Sequence, residues 1–348
     1  MDINQLSKRF IIFANVECAG RSELYETLSK EIAKDEALLT LCSHARAGQP
    51  VPNLLFGAVH YLLLSGEKDV LADYYPSLVA QPKRTKEAFI PFKTFCENHK
   101  EQIQTLLQTK LVQTNEVRRC SYLYPSFSAI YEKEKRPLAL IEIGTSAGLQ
   151  LLWDYYRYSY EETEEFGNLN SPVHIHSQVK GENVPALLKD RPQIEARYGI
   201  DLHINDLTNE DDYLWLKALI WPEQHTRRAL FDAAAMCVAE NKESLHLIEG
   251  DGVELLPSIV ADISNDAAIC VFHTHVANQM PQEVKRRLQV TIEEIGQQRD
   301  IYHLYNNMSD GDLHLDSYQN GTFQSERVAE TDGHGEWFSW KRSSKVTS

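Results

Sequence analysis

The chain has 348 residues, of which 43% are hydrophobic and 24% charged, a composition typical of globular proteins and a length sufficient for two units. Its formal net charge of −15 repels phosphate backbones, and no apolar run is long enough to span a bilayer, so we expect neither nucleic acid nor a membrane as a partner. Six widely spaced cysteines and the lack of a signal-peptide core indicate free thiols and a cytoplasmic protein.

The first 115 residues carry apolar side chains at helical spacing and predict a separate helical domain. Ser22 can cap a helix that extends to about residue 40, and Asn53 can cap one that ends before Gly66. Because no alternating strand pattern and no internal repeat occurs here, we expect residues 1–115 to form a helical lid that contributes to substrate binding.

After Pro137 the pattern changes to short apolar runs separated by glycine turns. Residues 138–143 form a nearly continuous apolar run, which is typical of a strand buried on both faces of a parallel sheet. A glycine turn and then a helical spacing follow, as at the start of a doubly wound α/β domain. Further strands are predicted at 199–204, 245–249, 267–272 and 300–305, with antiparallel strands at 313–319, 322–329 and 336–341. The sequence therefore predicts a doubly wound, mostly parallel, Rossmann-type sheet within residues 116–348, with an insertion around 166–189.

The turn at residues 144–148 fits three motifs. Gly-x-Ser-x-Gly is the nucleophile elbow of α/β-hydrolases, with Ser146 as nucleophile, but that fold needs strands and an oxyanion-hole loop before the elbow, where this sequence reads as helical. A dinucleotide fingerprint needs glycine where Ser146 and Leu149 stand. The third match is to the first motif of class I methyltransferases. A tight turn that binds no ligand stays open as an alternative.

The methyltransferase motif has an acid followed by small residues at alternate positions, and Glu142, Gly144, Ser146 and Gly148 occupy those positions. Small residues let the backbone approach a ligand, and N–H groups in the first turn of the following helix attract its carboxylate. Ser146 replaces the usual middle glycine. These four residues are therefore predicted to bind S-adenosylmethionine.

Segments along nearly the whole chain carry a further signal through their sequence and order. They are residues 113–116, 141–149, 198–201, 221–223, 250–257 and 332–337. In these segments the chain resembles a bacterial family of uncharacterised proteins, a domain of unknown function with a methyltransferase-like core. The resemblance implies that Asp201 accepts hydrogen bonds from the ribose of the cofactor and Asp251 from the adenine amine. Glu182 is a rival for the ribose, and a helix cap is the alternative role of either aspartate.

Two His-x-His pairs also occur, His174 with His176 and His273 with His275. Alternate strand residues share a face, so either pair could bind a metal if a carboxylate joined it, but no third ligand lies at readable spacing and we predict no metal. The second pair lies at a predicted strand end, where open α/β sheets bind ligands, so one of its members is predicted to be a general base. His273 is favoured because the chain is expected to turn before Asn278.

The function predicted from these features is methyl transfer from S-adenosylmethionine to an oxygen or nitrogen of a small molecule. Thr114, Asn115, Glu116 and Asn278 are predicted to bind that substrate. Two alternatives stay open, since fold alone does not determine function: a cofactor-binding regulator or scaffold without catalysis, and a serine hydrolase that uses Ser146.

Overall fold

The computed structural model describes residues 2–113, 116–161, 164–188 and 191–342, and the chain divides into two compact units. The first unit comprises Met1–Thr114 and Thr208–Ala229, and the second comprises Asn115–Leu207 and Leu230–Ser348. The segment Thr208–Ala229, which the sequence analysis assigned to the α/β domain, thus belongs to the first unit. Within the described ranges, no helix is both long and apolar enough to cross a bilayer.

The secondary structure of the described residues is as follows. The α-helices are α1 Ile3–Ile12, α2 Glu23–Ile32, α3 Glu36–Cys42, α4 Val51–Leu64, α5 Phe89–Asn98, α6 Lys100–Thr109, α7 Cys120–Glu134, α8 Glu210–Ala218, α9 His225–Glu240, α10 Gly252–Asp262 and α11 Gln282–Gly296. The strands are β1 Leu138–Ile143, β2 Arg157–Tyr160, β3 Phe166–Gly167, β4 His174–Val179, β5 Ile194–Asp201, β6 His246–Glu249, β7 Ala268–His273, β8 Ile301–Tyr305, β9 Leu313–Gln319, β10 Thr322–Thr331 and β11 Trp337–Trp340. A π-helix spans Phe13–Cys18, and 3₁₀-helices span Val70–Tyr74, Thr85–Glu87, Val117–Arg119, Leu149–Tyr155, Lys242–Ser244 and Val276–Asn278.

The first unit is built from helices, of which some begin at a capping side chain, whereas Asn53, predicted to cap α4, lies inside that helix, which begins after Pro50. Ser22 caps α2 as predicted, because its side chain accepts the N–H of Tyr25, but α2 ends at Ile32 and Asp35 caps the next helix. The carboxylate of Glu223 accepts hydrogen bonds from the Ser22 hydroxyl at 2.9 Å and from the backbone at the start of α2. This contact explains why a segment distant in sequence folds with the N-terminal helices.

The strands of the second unit join in one sheet, in the order β3-β2-β4-β11-β10-β9-β8-β7-β1-β5-β6. Neighbours among β6, β5, β1, β7 and β8 pair in parallel. If these five strands are numbered 1 to 5 in chain order, their order across the sheet is 3-2-1-4-5. This is the order of a doubly wound sheet, with the switch point between β1 and β7. The prediction of a mostly parallel α/β sheet is confirmed at this level.

The sheet is larger than predicted, with eleven strands in the described residues where the sequence indicates eight. Three strands that the sequence did not predict, β2, β3 and β4, add to the sheet, and β4 pairs in parallel with β11. The helix expected after the glycine turn is a 3₁₀-helix that ends at Tyr155, because β2 begins two residues later. The region predicted as an insertion around 166–189 therefore contributes β3 and β4 to the sheet.

The parallel strands carry the main core of this unit. Every residue of β1 and of β7 is buried, as expected of strands covered on both faces. On one face, Ile141 and Val271 pack with Leu256 of α10 and Leu288 of α11. Because these five strands are parallel, the carboxyl ends of β6, β5, β1, β7 and β8 lie at one edge of the sheet. Several of the predicted site residues lie along that edge or just beneath it.

Candidate functional site

The glycine turn after β1 has a left-handed backbone at three positions, with φ of 80° at Gly144, 54° at Ser146 and 78° at Gly148. A Cβ atom at Gly144 would lie 2.6 Å from Cγ2 of Val276, and one at Gly148 would lie 3.2 Å from Cδ2 of Leu247. Packing within the chain therefore requires glycine at position 144, and the left-handed backbone favours glycine at both positions. This observation supports the alternative of a tight turn, and a ligand at this turn has to be argued from other residues.

Ser146 is buried and its polar atoms bond within the protein. Its backbone N–H donates to Oδ2 of Asp201 at 2.8 Å, and its Oγ accepts from Nδ2 of Asn205 at 3.1 Å. Within the described ranges no histidine hydrogen-bonds to this hydroxyl, whereas a nucleophilic serine needs an adjacent base. The arrangement favours Ser146 as an anchor of the turn over Ser146 as a nucleophile.

The two candidates for the ribose-binding acid lie far apart in the sheet. Asp201 is the last residue of β5, which pairs with β1, and its carboxylate reaches the glycine turn. Glu182 is exposed in the loop after β4, and five strands separate β4 from β1. Only Asp201 therefore stands next to the turn.

Asp251 is the N-cap of α10, directly after β6. Its Oδ1 accepts the backbone N–H groups of Val253 at 2.8 Å and Glu254 at 3.3 Å, so the helix-cap role raised by the sequence is the one observed. Its Oδ2 makes no hydrogen bond within the residues that the structure describes. The backbone N–H of Gly250 donates to the carbonyl of Asp201 at 2.8 Å and ties the two strand ends together.

Glu142, the acid of the predicted methyltransferase motif, is buried near the end of β1. Its exposed fraction is 2%, and its Oε2 accepts a hydrogen bond from Oγ1 of Thr145 at 2.6 Å. Burial raises the pKa of Glu142 to about 8; the Thr145 hydrogen bond and the Arg119 charge oppose this rise, whereas Asp201 adds to it. Glu142 is consequently mostly protonated at neutral pH.

The two predicted catalytic histidines do not share a face, because β7 ends at His273. His273 is fully buried, with its ring 5.1 Å from that of His303 and 5.8 Å from that of Tyr305. Burial lowers the pKa of His273 to about 3, with a further lowering by Lys285. His273 thus belongs to the interior of the sheet, and His275 is the member of the pair that lies at the edge.

His275 has a left-handed backbone with φ of 62°, and neighbouring amides hold it. Its backbone N–H donates to Oδ1 of Asn306 at 2.7 Å, and its Nδ1 lies 3.2 Å from Nδ2 of Asn307. Burial lowers the pKa of His275 to about 3, and the charges of Arg119 and His334 lower it further, against Asp332. Because an amide nitrogen only donates, Nδ1 is the acceptor and the proton of the neutral ring is assigned to Nε2.

A buried guanidinium lies beside His275 and was not singled out by the sequence. The Nε of Arg119 donates to the carbonyl of Gly333 at 2.9 Å, and its Nη1 lies 3.4 Å from both the carbonyl and the hydroxyl of Thr274. The Thr274 hydroxyl donates to Oε1 of Gln150 at 3.0 Å. These bonds connect the start of α7, the end of β7 and the loop before β11.

Glu116 and His334 complete this group of side chains. The Glu116 carboxylate is 2% exposed, and its Oε2 lies 3.6 Å from Nδ1 of His334. We call the group the Arg119 cluster; its members are Glu116, Arg119, Tyr122, His275, Asn306 and His334. A sequence signal for it exists, since residues 113–116 and 332–337 both belong to the segments that resemble the bacterial family.

The four predicted substrate residues have different positions. Glu116 belongs to the Arg119 cluster, whereas Asn278 is exposed at the end of a 3₁₀-helix and bonds through its backbone N–H to the carbonyl of His275 at 3.1 Å. Thr114 and Asn115 lie outside the described residues.

The other histidine pair, His174 and His176, lies on one face of β4. Both rings hydrogen-bond to the hydroxyl of Ser159 on β2, at 2.9 and 3.0 Å. Among the residues that the structure describes, no group of three or more His, Cys, Asp or Glu side chains is arranged to bind a metal ion. The pair thus has a structural partner in the neighbouring strand.

The second unit defines an α/β protein with a doubly wound parallel core and a line of acids and buried polar side chains at the carboxyl edge of that core. The chain belongs to the bacterial family described as "Uncharacterized protein conserved in bacteria (DUF2332)", whose model matches residues 7–340. No curated protein and no solved structure matches it.

Proposed function

We propose that this protein binds S-adenosylmethionine across the carboxyl ends of β1, β5 and β6 and transfers its methyl group to an oxygen or nitrogen of a small molecule. One observation carries the proposal: the glycine turn, Asp201 and Asp251 follow three neighbouring parallel strands in that spatial order. An adenosyl ligand that lies along the edge would meet Asp201 with its ribose and Asp251 with its adenine.

The acids at this edge differ in their hydrogen bonds. Asp201 accepts the Ser146 N–H at 2.8 Å and, in a weaker contact of 3.4 Å, the N–H of His203. The capping bonds of Asp251 use Oδ1, and its Oδ2 makes no hydrogen bond within the described residues, so it can accept from a ligand. The residues therefore fit a ligand with a diol and an exocyclic amine.

The bound cofactor supplies an electrophilic methyl group, and the protein has to align the acceptor with it and remove one proton. His275 lies at the edge, but its low pKa and its Nε2 proton suit hydrogen-bond donation better than proton uptake. The general-base role of a histidine remains a prediction. The same observation favours a second candidate function, a regulator that binds the cofactor without turning it over.

Titration calorimetry with S-adenosylmethionine and its demethylated product tests the binding step. Loss of charge at a partner of a buried polar group costs about 1–3 kcal/mol, so we expect Asp201→Asn and Asp251→Asn each to weaken affinity by roughly tenfold to a hundredfold. Asparagine still caps a helix, so Asp251→Asn should keep the fold. Asp262→Asn, at an exposed position at the end of α10, is the matched control and should bind like the wild type.

Equal affinity in all four proteins, or no binding at all, would refute the proposed site. Where the cofactor binds, formation of the demethylated product in the presence of a metabolite extract separates an enzyme from a regulator. An enzyme yields this product together with a methylated metabolite, and a regulator yields neither.

A further inference from the structure

Four buried polar atoms of the Arg119 cluster have no hydrogen-bond partner within the described residues. Nδ1 of His334 lies 3.6 Å from the Glu116 carboxylate, and the other three are Nε2 of His275, Nδ2 of Asn306 and the hydroxyl of Tyr122. Asn306 and Tyr122 are both 0% exposed. More than nine in ten buried polar groups of folded proteins are paired, with protein or with ordered water. Three such atoms in one cluster indicate that something other than the chain itself satisfies them.

The hydrogen bonds that are present fix the chemical character of two of these atoms. Oδ1 of Asn306 accepts from the backbone N–H of His275 at 2.7 Å and from Nδ2 of Asn307 at 2.9 Å. The atom of Asn306 left without a partner is therefore its amide nitrogen, which only donates. By the same reasoning the Nε2 of His275 carries the ring proton. Both atoms call for a hydrogen-bond acceptor.

The third atom is a neutral hydroxyl at neutral pH. Burial raises the pKa of Tyr122, against the lowering effects of the Arg119 charge and of the Asn306 amide, which can donate to the Tyr122 oxygen. The charge of Arg119 therefore acts on Tyr122 as well as on His275. The buried carboxylate of Glu116 acts on Tyr122 with the opposite sign. An amide nitrogen has two N–H groups and a hydroxyl has one O–H, so a donor remains on each side chain even when they contact each other. The unsatisfied donors call for an acceptor, and the charge of Arg119 favours an anionic one against this opposing charge of Glu116.

We propose that the Arg119 cluster binds the carboxylate of a small organic acid, through the amide of Asn306, the hydroxyl of Tyr122 and the Nε2–H of His275. A planar carboxylate accepts several hydrogen bonds and carries a single negative charge. A protonated amine is itself a hydrogen-bond donor, so it could not satisfy these three donors. A phosphate dianion would meet stronger repulsion from Glu116, which is also buried in the cluster. If the proposed function holds, on which this assignment of a substrate class rests, the acid is the methyl acceptor.

The test compares four small acids with their uncharged amides by ligand-observed NMR on the full chain. The probes are acetate, pyruvate, succinate and benzoate, the amide of each, and inorganic phosphate. We expect at least one acid to bind at least tenfold more tightly than its amide and more tightly than phosphate, because a hydrogen bond to a charged group contributes more than one to a neutral group.

Two matched variants assign the binding to the cluster. Tyr122→Phe removes a hydroxyl that has no partner in the described protein, so its stability should be unchanged or higher while acid affinity falls about tenfold. Tyr25→Phe is the control, since Tyr25 is 1% exposed and its hydroxyl also lacks a partner there, but it belongs to the first unit. It should leave acid affinity unchanged. Asn306→Asp keeps the acceptor for His275 but replaces the donor with a charge, and it should abolish acid binding.

Several results would overturn the inference. The inference fails if no acid binds more tightly than its amide, which is the result expected if only water satisfies the cluster. It also fails if phosphate binds most tightly, or if Tyr122→Phe binds acids as tightly as Tyr25→Phe. The cofactor titration is separate from this assay. Acid binding by a protein that binds no S-adenosylmethionine would reject the proposed function and keep the carboxylate site, and cofactor binding without any preference for acids would do the reverse.

Discussion

Replacing Gly144 by alanine should destabilise the α/β unit through two additive effects. The backbone there has φ of 80°, and left-handed geometry costs an alanine roughly 1–2 kcal/mol. The new Cβ would also lie 2.6 Å from Cγ2 and 2.8 Å from Cβ of Val276, and such overpacking costs about 1–3 kcal/mol. The expected loss is therefore about 2–5 kcal/mol, a large fraction of the stability of a typical domain.

Gly148→Ala is the matched control, because its φ of 78° carries the same backbone cost. Its Cβ would lie 3.2 Å from Cδ2 of Leu247, the end of a flexible side chain, so we expect a loss of only about 1–2 kcal/mol. Urea unfolding followed by circular dichroism measures both losses. In the double variant Gly144→Ala/Val276→Gly the steric part should be recovered, with a coupling of about 1–3 kcal/mol. Equal losses at both glycines, or strictly additive effects in the double variant, would refute the packing argument.

Other outcomes follow from the same edge of the sheet. A fluorophosphonate probe should not label Ser146, whose hydroxyl is held by Asn205; covalent labelling detected by peptide mass spectrometry would favour a hydrolase. Burial raises the pKa of Glu142 from 4.5 to about 8, so its contribution to stability is complete below pH 4.5 and is lost as the pH rises to about 8. Glu142→Gln should gain about 3–5 kcal/mol relative to the wild type over that interval, and parallel pH curves of unfolding free energy would contradict this. His275→Gln should reduce turnover with cofactor affinity unchanged, whereas His273→Gln should mainly reduce stability; the opposite assignment would return His273 to the site.

The parallel core could be predicted because its strands are buried on both faces. The sequence predicts a strand at 138–143 and another at 267–272, and the observed strands, β1 and β7, differ by at most one residue at each end. The strand β5 begins at Ile194, five residues before the predicted start. Charged residues alternate with apolar ones in its first half, so this part lacks the continuous apolar run by which the other parallel strands are recognised.

The strands β2 to β4 could not be predicted in the same way. Leu149, Leu152, Trp153 and Tyr156 recur at helical spacing, so the sequence favours a long helix where a 3₁₀-helix and then a strand occur. The strand β4 is stabilised by a partner far away in sequence, since it pairs with β11, and β2 joins the sheet through β4. Local periodicity carries no information about such a pairing.

In the candidate site, too, local motifs could be predicted and long-range contacts could not. Glu142 and the turn at 144–148 are local motifs, and the sequence identifies them directly. The Arg119 cluster brings together side chains that are far apart in sequence, such as Glu116 and His334. Neither its buried guanidinium nor the orientation of Asn306 can be inferred from spacing. The sequence favours His273 over His275 for a similar reason. Residue spacing does not show where β7 ends, and that end decides which of the two rings reaches the edge of the sheet.

A crystal structure of the full chain grown with S-adenosylmethionine tests the central claim most directly. We expect an adenosyl group along the carboxyl ends of β1, β5 and β6, with the ribose hydroxyls within hydrogen-bond distance of Asp201 and the adenine amine next to Asp251. An adenosyl group bound elsewhere on the protein, or crystals grown at saturating cofactor with only solvent along this edge, would contradict it.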